Sequence, residues 1–248
     1  MNKLMYKQEQ EKSNYSELKK KAEISLQKAK EIILRNIPID EVSAIYVKGS
    51  YVQDELTPAS DVDVVVILKS EKYLLDVYKL TEDFGNSVNP PFQAVAYTLG
   101  ELQTGKWITN RIKKGVPVSV FVKRMDQLPI IYGLKPKGKF FTRSDEKELS
   151  VNISVFRKNY LPGFENGTFK FDELVKATLW LVEREQRALG RKPDYSWQKL
   201  SDLIKNKNHI VHDALKLRRQ NDISQQEQDD FLKKLNDYLD YLETKYKQ

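Results

Sequence analysis

Four residues in the first third of the chain have the types and spacing to handle phosphates: Gly49, Ser50, Asp61 and Asp63. Asp61 and Asp63 stand two apart at the start of an apolar run. In a strand, both carboxylates then share one face while Val62 and Val64 take the other. Two carboxylates on one edge repel each other, and a cation relieves that repulsion. Oxygen ligands of this kind suit Mg²⁺, which takes one or two carboxylates and completes its shell with water and substrate phosphates. Gly49 allows backbone to approach a ligand closely, and Ser50 is expected to open a short helix whose N–H groups favour an anion. The two features together describe a metal–triphosphate site: amides and a hydroxyl for the phosphates, carboxylates for the metal that bridges them.

Two strands must hold these groups. Residues 44–47 (AIYV) and 62–68 (VDVVVIL) are short β-branched and aromatic runs of strand length. Gly49-Ser50 breaks the first, and residues 57–60 (TPAS) supply turn chemistry before the second. One or two turns of helix fit between them.

This order of strand, Gly-Ser, short helix, Asp-x-Asp and strand resembles the signature of the nucleotidyltransferase superfamily related to DNA polymerase beta. The resemblance rests on Gly49, Ser50, Asp61 and Asp63 with apolar strands on both sides. It implies a mixed-sheet α/β catalytic domain, with Asp61 and Asp63 on Mg²⁺ (two ions possible) and Gly49 and Ser50 on the phosphates of ATP or another NTP. That family commonly places a third carboxylate on the strand expected over residues 92–98 (FQAVAYT), where this chain has Gln93. An amide neither binds metal as a carboxylate does nor acts as a base at neutral pH. Relatives of kanamycin nucleotidyltransferase draw a glutamate from their helical half instead. By that resemblance Glu183 is the candidate base here.

The remaining elements follow from periodicity and punctuation. Residues 13–36 read as a helix with Leu18, Ala22, Leu26, Ala29 and Ile33 on one face, stopped by Pro38. Residues 70–84 read as a second helix and 101–114 as a third, ended by Gly115. The run 116–122 (VPVSVFV) reads as a fourth strand with Pro117 near its start, and 125–143 as a Pro/Gly/Lys-rich linker or covering loop. From Ser144 the pattern is all-helical: 145–160, ended by Leu161-Pro162-Gly163, then 171–189, 197–205 and 210–219. A last helix opens on the capping box Ser224–Glu227. The expected fold is therefore α/β over residues 1–143, the catalytic domain, and all-helical over 144–248, a domain for the acceptor.

On the helix 171–189, Lys176, Trp180, Glu183 and Arg187 follow at steps of four, three and four. Core packing explains Trp180 most simply, with stacking on a ring substrate as the alternative; Glu183–Arg187 also reads as an i,i+4 pair. His209 and His212 lack a zinc-ligand pattern and read as surface or capping residues. Neither has the preceding arginine of a HEPN ribonuclease.

Composition narrows the setting. The chain has 248 residues, no cysteine and a net charge of +7, which exclude disulfides and thiolate metal sites. No apolar run spans a bilayer and the amino terminus lacks a signal-peptide core, so a cytoplasmic protein is expected. Residues 1–144 carry 23 basic against 17 acidic side chains, and 145–248 carry 19 against 18. The basic side chains cluster at Lys113, Lys114, Lys123, Arg124, Lys135, Lys137, Lys139 and Arg143. Such a surface can steer a nucleotide, contact nucleic acid (the less favoured partner here) or be an ordinary Lys-rich solvated face. The expected reaction is transfer of AMP from ATP to a hydroxyl of a small molecule or protein, and a homodimer is compatible with it. Two alternatives stand beside it: a catalytically weak, antitoxin-like nucleotide-binding regulator, and an RNA-tailing enzyme.

Overall fold

The computed structural model of the chain describes residues 3–107, 116–220 and 222–246. These divide into two compact units, Met1–Thr142 and Arg143–Gln248. The last residues of the helix expected over 101–114, its Gly115 stop, Lys113 and Lys114 lie outside the described residues. No described helix is long and apolar enough to cross a membrane.

The first unit is built on a four-stranded sheet in the order β3-β2-β1-β4, from β1 (Val42–Lys48), β2 (Val62–Leu68), β3 (Phe92–Thr98) and β4 (Ile130–Gly133). β1 runs antiparallel to β2 and β4, and β2 runs parallel to β3. The parallel step is made through helix α3 (Leu74–Phe84), shorter at its start than the 70–84 expected. Val64, Val65, Val66, Ile67 and Leu68 are at most 1 % exposed, so β2 is covered on both faces, as its unbroken apolar run requires. Helix α1 (Lys3–Asn36) extends further towards the amino terminus than its apolar stripe foretold. Its Ala22, Leu26, Ala29 and Ile33 are buried, and it packs on α3, β2 and β3.

Three expectations in this unit are corrected. Residues 116–122 are not a strand: Val118–Arg124 is helix α5, with Pro117 as its N-cap. A β-branched run favours a strand locally, but every residue from Val118 to Phe121 is buried, and tertiary packing decides. Phe121 stacks on Tyr97 at 4.9 Å and meets Tyr46 edge-on at 5.8 Å. The fourth strand comes instead from the expected linker. β4 is a four-residue edge strand, partly exposed throughout, and its pattern carries no alternation to read. Helix α4 (Leu99–Thr104) starts at a capping box between Thr98 and Glu101 and stops at Gly105, ten residues before the glycine expected to end it.

In the second unit, helix α8 (Phe171–Ala188) is the hub, packing on α6 (Asp145–Val155), α7 (Leu161–Glu165) and α10 (Ile210–Arg218). The expected stop at Leu161-Pro162-Gly163 is absent: α6 widens into a π-type turn over Phe156–Tyr160 and continues as α7. Pro162 falls in the first turn of the restarted helix, where its missing N–H is not needed. α9 (Trp197–Leu203) and α11 (Gln225–Tyr246) complete the unit, and Phe231, Leu235, Leu239 and Leu242 of α11 enter its core. Ser224 and Glu227 exchange the expected capping bonds, Glu227 N–H to Ser224 Oγ at 3.3 Å and Ser224 N–H to the Glu227 carboxylate at 3.1 Å.

Candidate active site

The β-sheet register sets three side chains in one row. Lys48 on β1 lies opposite Asp63 on β2, and Asp63 lies beside Gln93 on β3. Side chains in register across adjacent strands share a face. Two residues along each strand, Tyr46, Val65 and Val95 form the neighbouring row, so Lys48, Asp63 and Gln93 are on the face that α5 packs against. Val62 between the two aspartates is fully buried, while Asp61 and Asp63 are both partly exposed. The alternation of the strand thus presents the pair of carboxylates at its accessible end.

Asp63 is held from two sides. Lys48 Nζ donates to its Oδ1 at 2.9 Å, with each side chain 21 % exposed. Its Oδ2 rests against Gly49 so closely that a Cβ on Gly49 would lie 2.2 Å away. Gly49 has φ +76°, ψ −154°, a conformation open to glycine and strained for any other residue. Here the glycine is required twice, by its backbone angle and by the carboxylate against it.

The helix after Gly49, α2 (Ser50–Gln53), is a single turn, with the N–H groups of Val52 and Gln53 both bonded to the Gly49 carbonyl at 3.1 Å. A dipole argument for anion binding needs a longer helix than this. The Ser50 hydroxyl, at the start of that turn, is the group there left to meet a phosphate. α2 is followed by Asp54 in the left-handed conformation, and α1 meets it there through Lys19 Nζ to Asp54 Oδ1 at 3.3 Å.

The donor set fits a hard divalent cation: two partly exposed carboxylates, two residues apart, at the accessible end of a strand. Among the described residues no three His, Cys, Asp or Glu side chains gather as a metal-holding group. Gln93, beside Asp63 in the register, is exposed.

A family model for the nucleotidyltransferase domain matches residues 26–221. The chain belongs to the nucleotidyltransferase domain family. No curated protein sequence matches it. The match begins inside α1 and ends beyond α10, so it takes in both units of the nucleotidyltransferase rather than the sheet alone.

The other residues singled out in the sequence lie in the helical unit. Glu183 is 3 % exposed on α8, and Arg187 Nε donates to its Oε1 at 2.8 Å, the i,i+4 pair expected. Trp180 is half-buried and packs edge-on to Trp197 at 4.2 Å and near Tyr195 at 5.8 Å, the packing role expected first. Glu173 accepts the Lys170 N–H at the start of α8. Glu185 is buried, accepting from Tyr238 Oη at 2.8 Å with His209 Nε2 at 3.4 Å. His209 caps α10 through Nδ1, which accepts the Val211 N–H at 3.2 Å. His212 bonds Ser201 and donates from Nε2 to the Asn206 carbonyl at 3.0 Å.

The basic cluster is less basic than its sequence suggests. Arg124 is buried, Lys135 pairs with Asp126, and Arg143 sits 3.8 Å from Glu148. Sequence reasoning missed Lys48 altogether. Its signal was a single charge closing an otherwise apolar strand beside the Gly-Ser pair.

Proposed function

We propose that this nucleotidyltransferase moves AMP from ATP to a hydroxyl of a small molecule or a protein with the help of Mg²⁺. The observation that carries the reading is Asp63, held at the strand end between Lys48 and the bare backbone of Gly49, with Asp61 two residues before it. In the reaction the acceptor oxygen forms a bond to the α-phosphorus, the bond from that phosphorus to the bridging oxygen breaks, and pyrophosphate leaves. Asp61 and Asp63 would hold the metal, which when bound supplies positive charge at the phosphoryl oxygens. Gly49 would offer its backbone and Ser50 its hydroxyl to the phosphates. The acceptor proton passes to a carboxylate; Glu183 is the proposed acceptor of that proton, and Asp61 the alternative.

ATP labelled at the α-phosphate tests the proposal. Incubated with Mg²⁺ and an extract of small molecules and proteins, wild type should label an acceptor, and Asp63→Asn should not while melting as a folded protein. Label transfer by folded Asp63→Asn at the wild-type rate would overturn the assignment.

The register supports a second reading. Gln93 stands exposed beside Asp63 where the family's third carboxylate is expected, which favours a nucleotide-binding regulator with weak or no turnover. ATP binding without transfer to any fraction of the extract would select it. The RNA-tailing alternative loses support from the burial of Arg124 and the pairing of Lys135 and Arg143.

A further inference from the structure

The row Lys48, Asp63, Gln93 has an unusual charge order for a metal site: positive, negative, neutral. The ammonium of Lys48 already occupies Oδ1 of Asp63, and Gly49 closes on Oδ2. A divalent cation coming to Asp63 therefore meets a resident cation on the same carboxylate. The two cannot share it closely, because like charges at contact distance repel strongly in a partly desolvated site. Lysine is suited to yielding: its charge is compact and its four-carbon stem flexible, and lysine is a common point-charge ligand of phosphates. The row is partly exposed at the strand end, and Lys48 is followed at once by Gly49 and Ser50, the residues proposed to meet the phosphates.

We propose that Lys48 is a built-in counter-ion that competes with the metal for Asp63 and, once displaced, passes its ammonium to the triphosphate, so that metal and nucleotide bind cooperatively. The proposal rests on the metal–triphosphate reading of the site. Without nucleotide, the metal must expel Lys48 into water and binds poorly. With the triphosphate present, the displaced ammonium finds an anion, and each ligand improves the site for the other. Such coupling is reciprocal by thermodynamic necessity. The lysine also lets a site with Gln93 in place of a third carboxylate place a second positive charge near the phosphates without a second metal ion.

Calorimetry on the full chain separates this role from an ordinary cross-strand ion pair. Mn²⁺ alone, and Mn²⁺ with the unreactive α,β-methylene analogue of ATP, are titrated into wild type, Lys48→Met and Lys48→Arg. Lys48→Met should bind Mn²⁺ alone about tenfold more tightly and the Mn²⁺–analogue complex about tenfold more weakly, within the usual span of coupling between two ligands. Lys48→Arg, which keeps the charge, should stay near wild type in both. Opposite shifts cannot come from misfolding, which weakens both. Unchanged Mn²⁺ affinity in Lys48→Met, or two constants that weaken together, overturns the proposal while wild-type binding leaves the site reading standing. Failure of all three proteins to bind either ligand overturns the site reading and this proposal with it.

Discussion

Gly49 and Asp63 constrain each other directly. Gly49→Ala puts a methyl group 2.2 Å from Asp63 Oδ2 and asks alanine to hold φ +76°. The carboxylate must leave its place beside Lys48, or the turn must change its path. Strain of this kind costs about 1–3 kcal/mol, so urea unfolding should show a loss of that size together with loss of nucleotidyl transfer. Wild-type stability and turnover in Gly49→Ala would mean that the turn is more compliant than its geometry implies. The same contact explains why the glycine precedes Ser50: the carboxylate fills the space a side chain would take.

Helix α8 shows how one element carries both core and polar duties. Its Leu174, Leu179, Leu181 and Val182 are fully buried, each contributing about 1.5–3 kcal/mol. The same helix buries Glu185. Burial opposes the charge of Glu185, but hydrogen bonds from His209 and Tyr238 outweigh it and hold the carboxyl below its ordinary range. Tyr238, pushed well above 10 by burial and by Glu185, stays a neutral donor. A carboxyl depressed on folding contributes stability that is complete above its unfolded value, about 4.3, and is lost as the pH falls through its folded value. Glu185→Gln should therefore be less stable than wild type at about pH 6, with the gap narrowing by about pH 3. Urea titrations at the two pH values measure it; a gap that stays constant assigns the acid sensitivity to other groups.

At the scale of the whole molecule, the family match spans a sheet-bearing unit with the carboxylates and a helical unit with Glu183. If the two units act in one reaction, Glu183→Gln should lower turnover by about 10² to 10⁴, the range for a general base, while ATP affinity persists. A nearly silent substitution assigns proton transfer to Asp61 or to the metal. The tryptophans divide usefully, with Trp107 in the first unit and Trp180 and Trp197 in the second. With Trp180 and Trp197 both replaced by Phe, Trp107 fluorescence reports the sheet unit. Mg²⁺ and ATP at a hundred times their Kd should stabilise that unit by about 2.7 kcal/mol, read as a rise in the Trp107 melting temperature. No rise would show that the nucleotide binds elsewhere or not at all.

The sequence by itself determined the central unit, because its signals are local. β-branched runs set β1 and β2 within two residues, Gly49 and residues 57–60 punctuated them, and period-two alternation paired Asp61 with Asp63. The stripe of α1 was legible for the same reason: its apolar residues recur at steps of three and four within one helix. Tertiary structure decided what depends on distant partners. The run 118–124 became a helix because Tyr46 and Tyr97, far away in sequence, cover Phe121. Residues 130–133 became a strand only by pairing with the free edge of β1. The partner of Lys48 lies fifteen residues on, and only the antiparallel register of β1 and β2 brings its ammonium to Asp63 rather than to Asp61. A sequence names the charges; the register between strands chooses which of them meet.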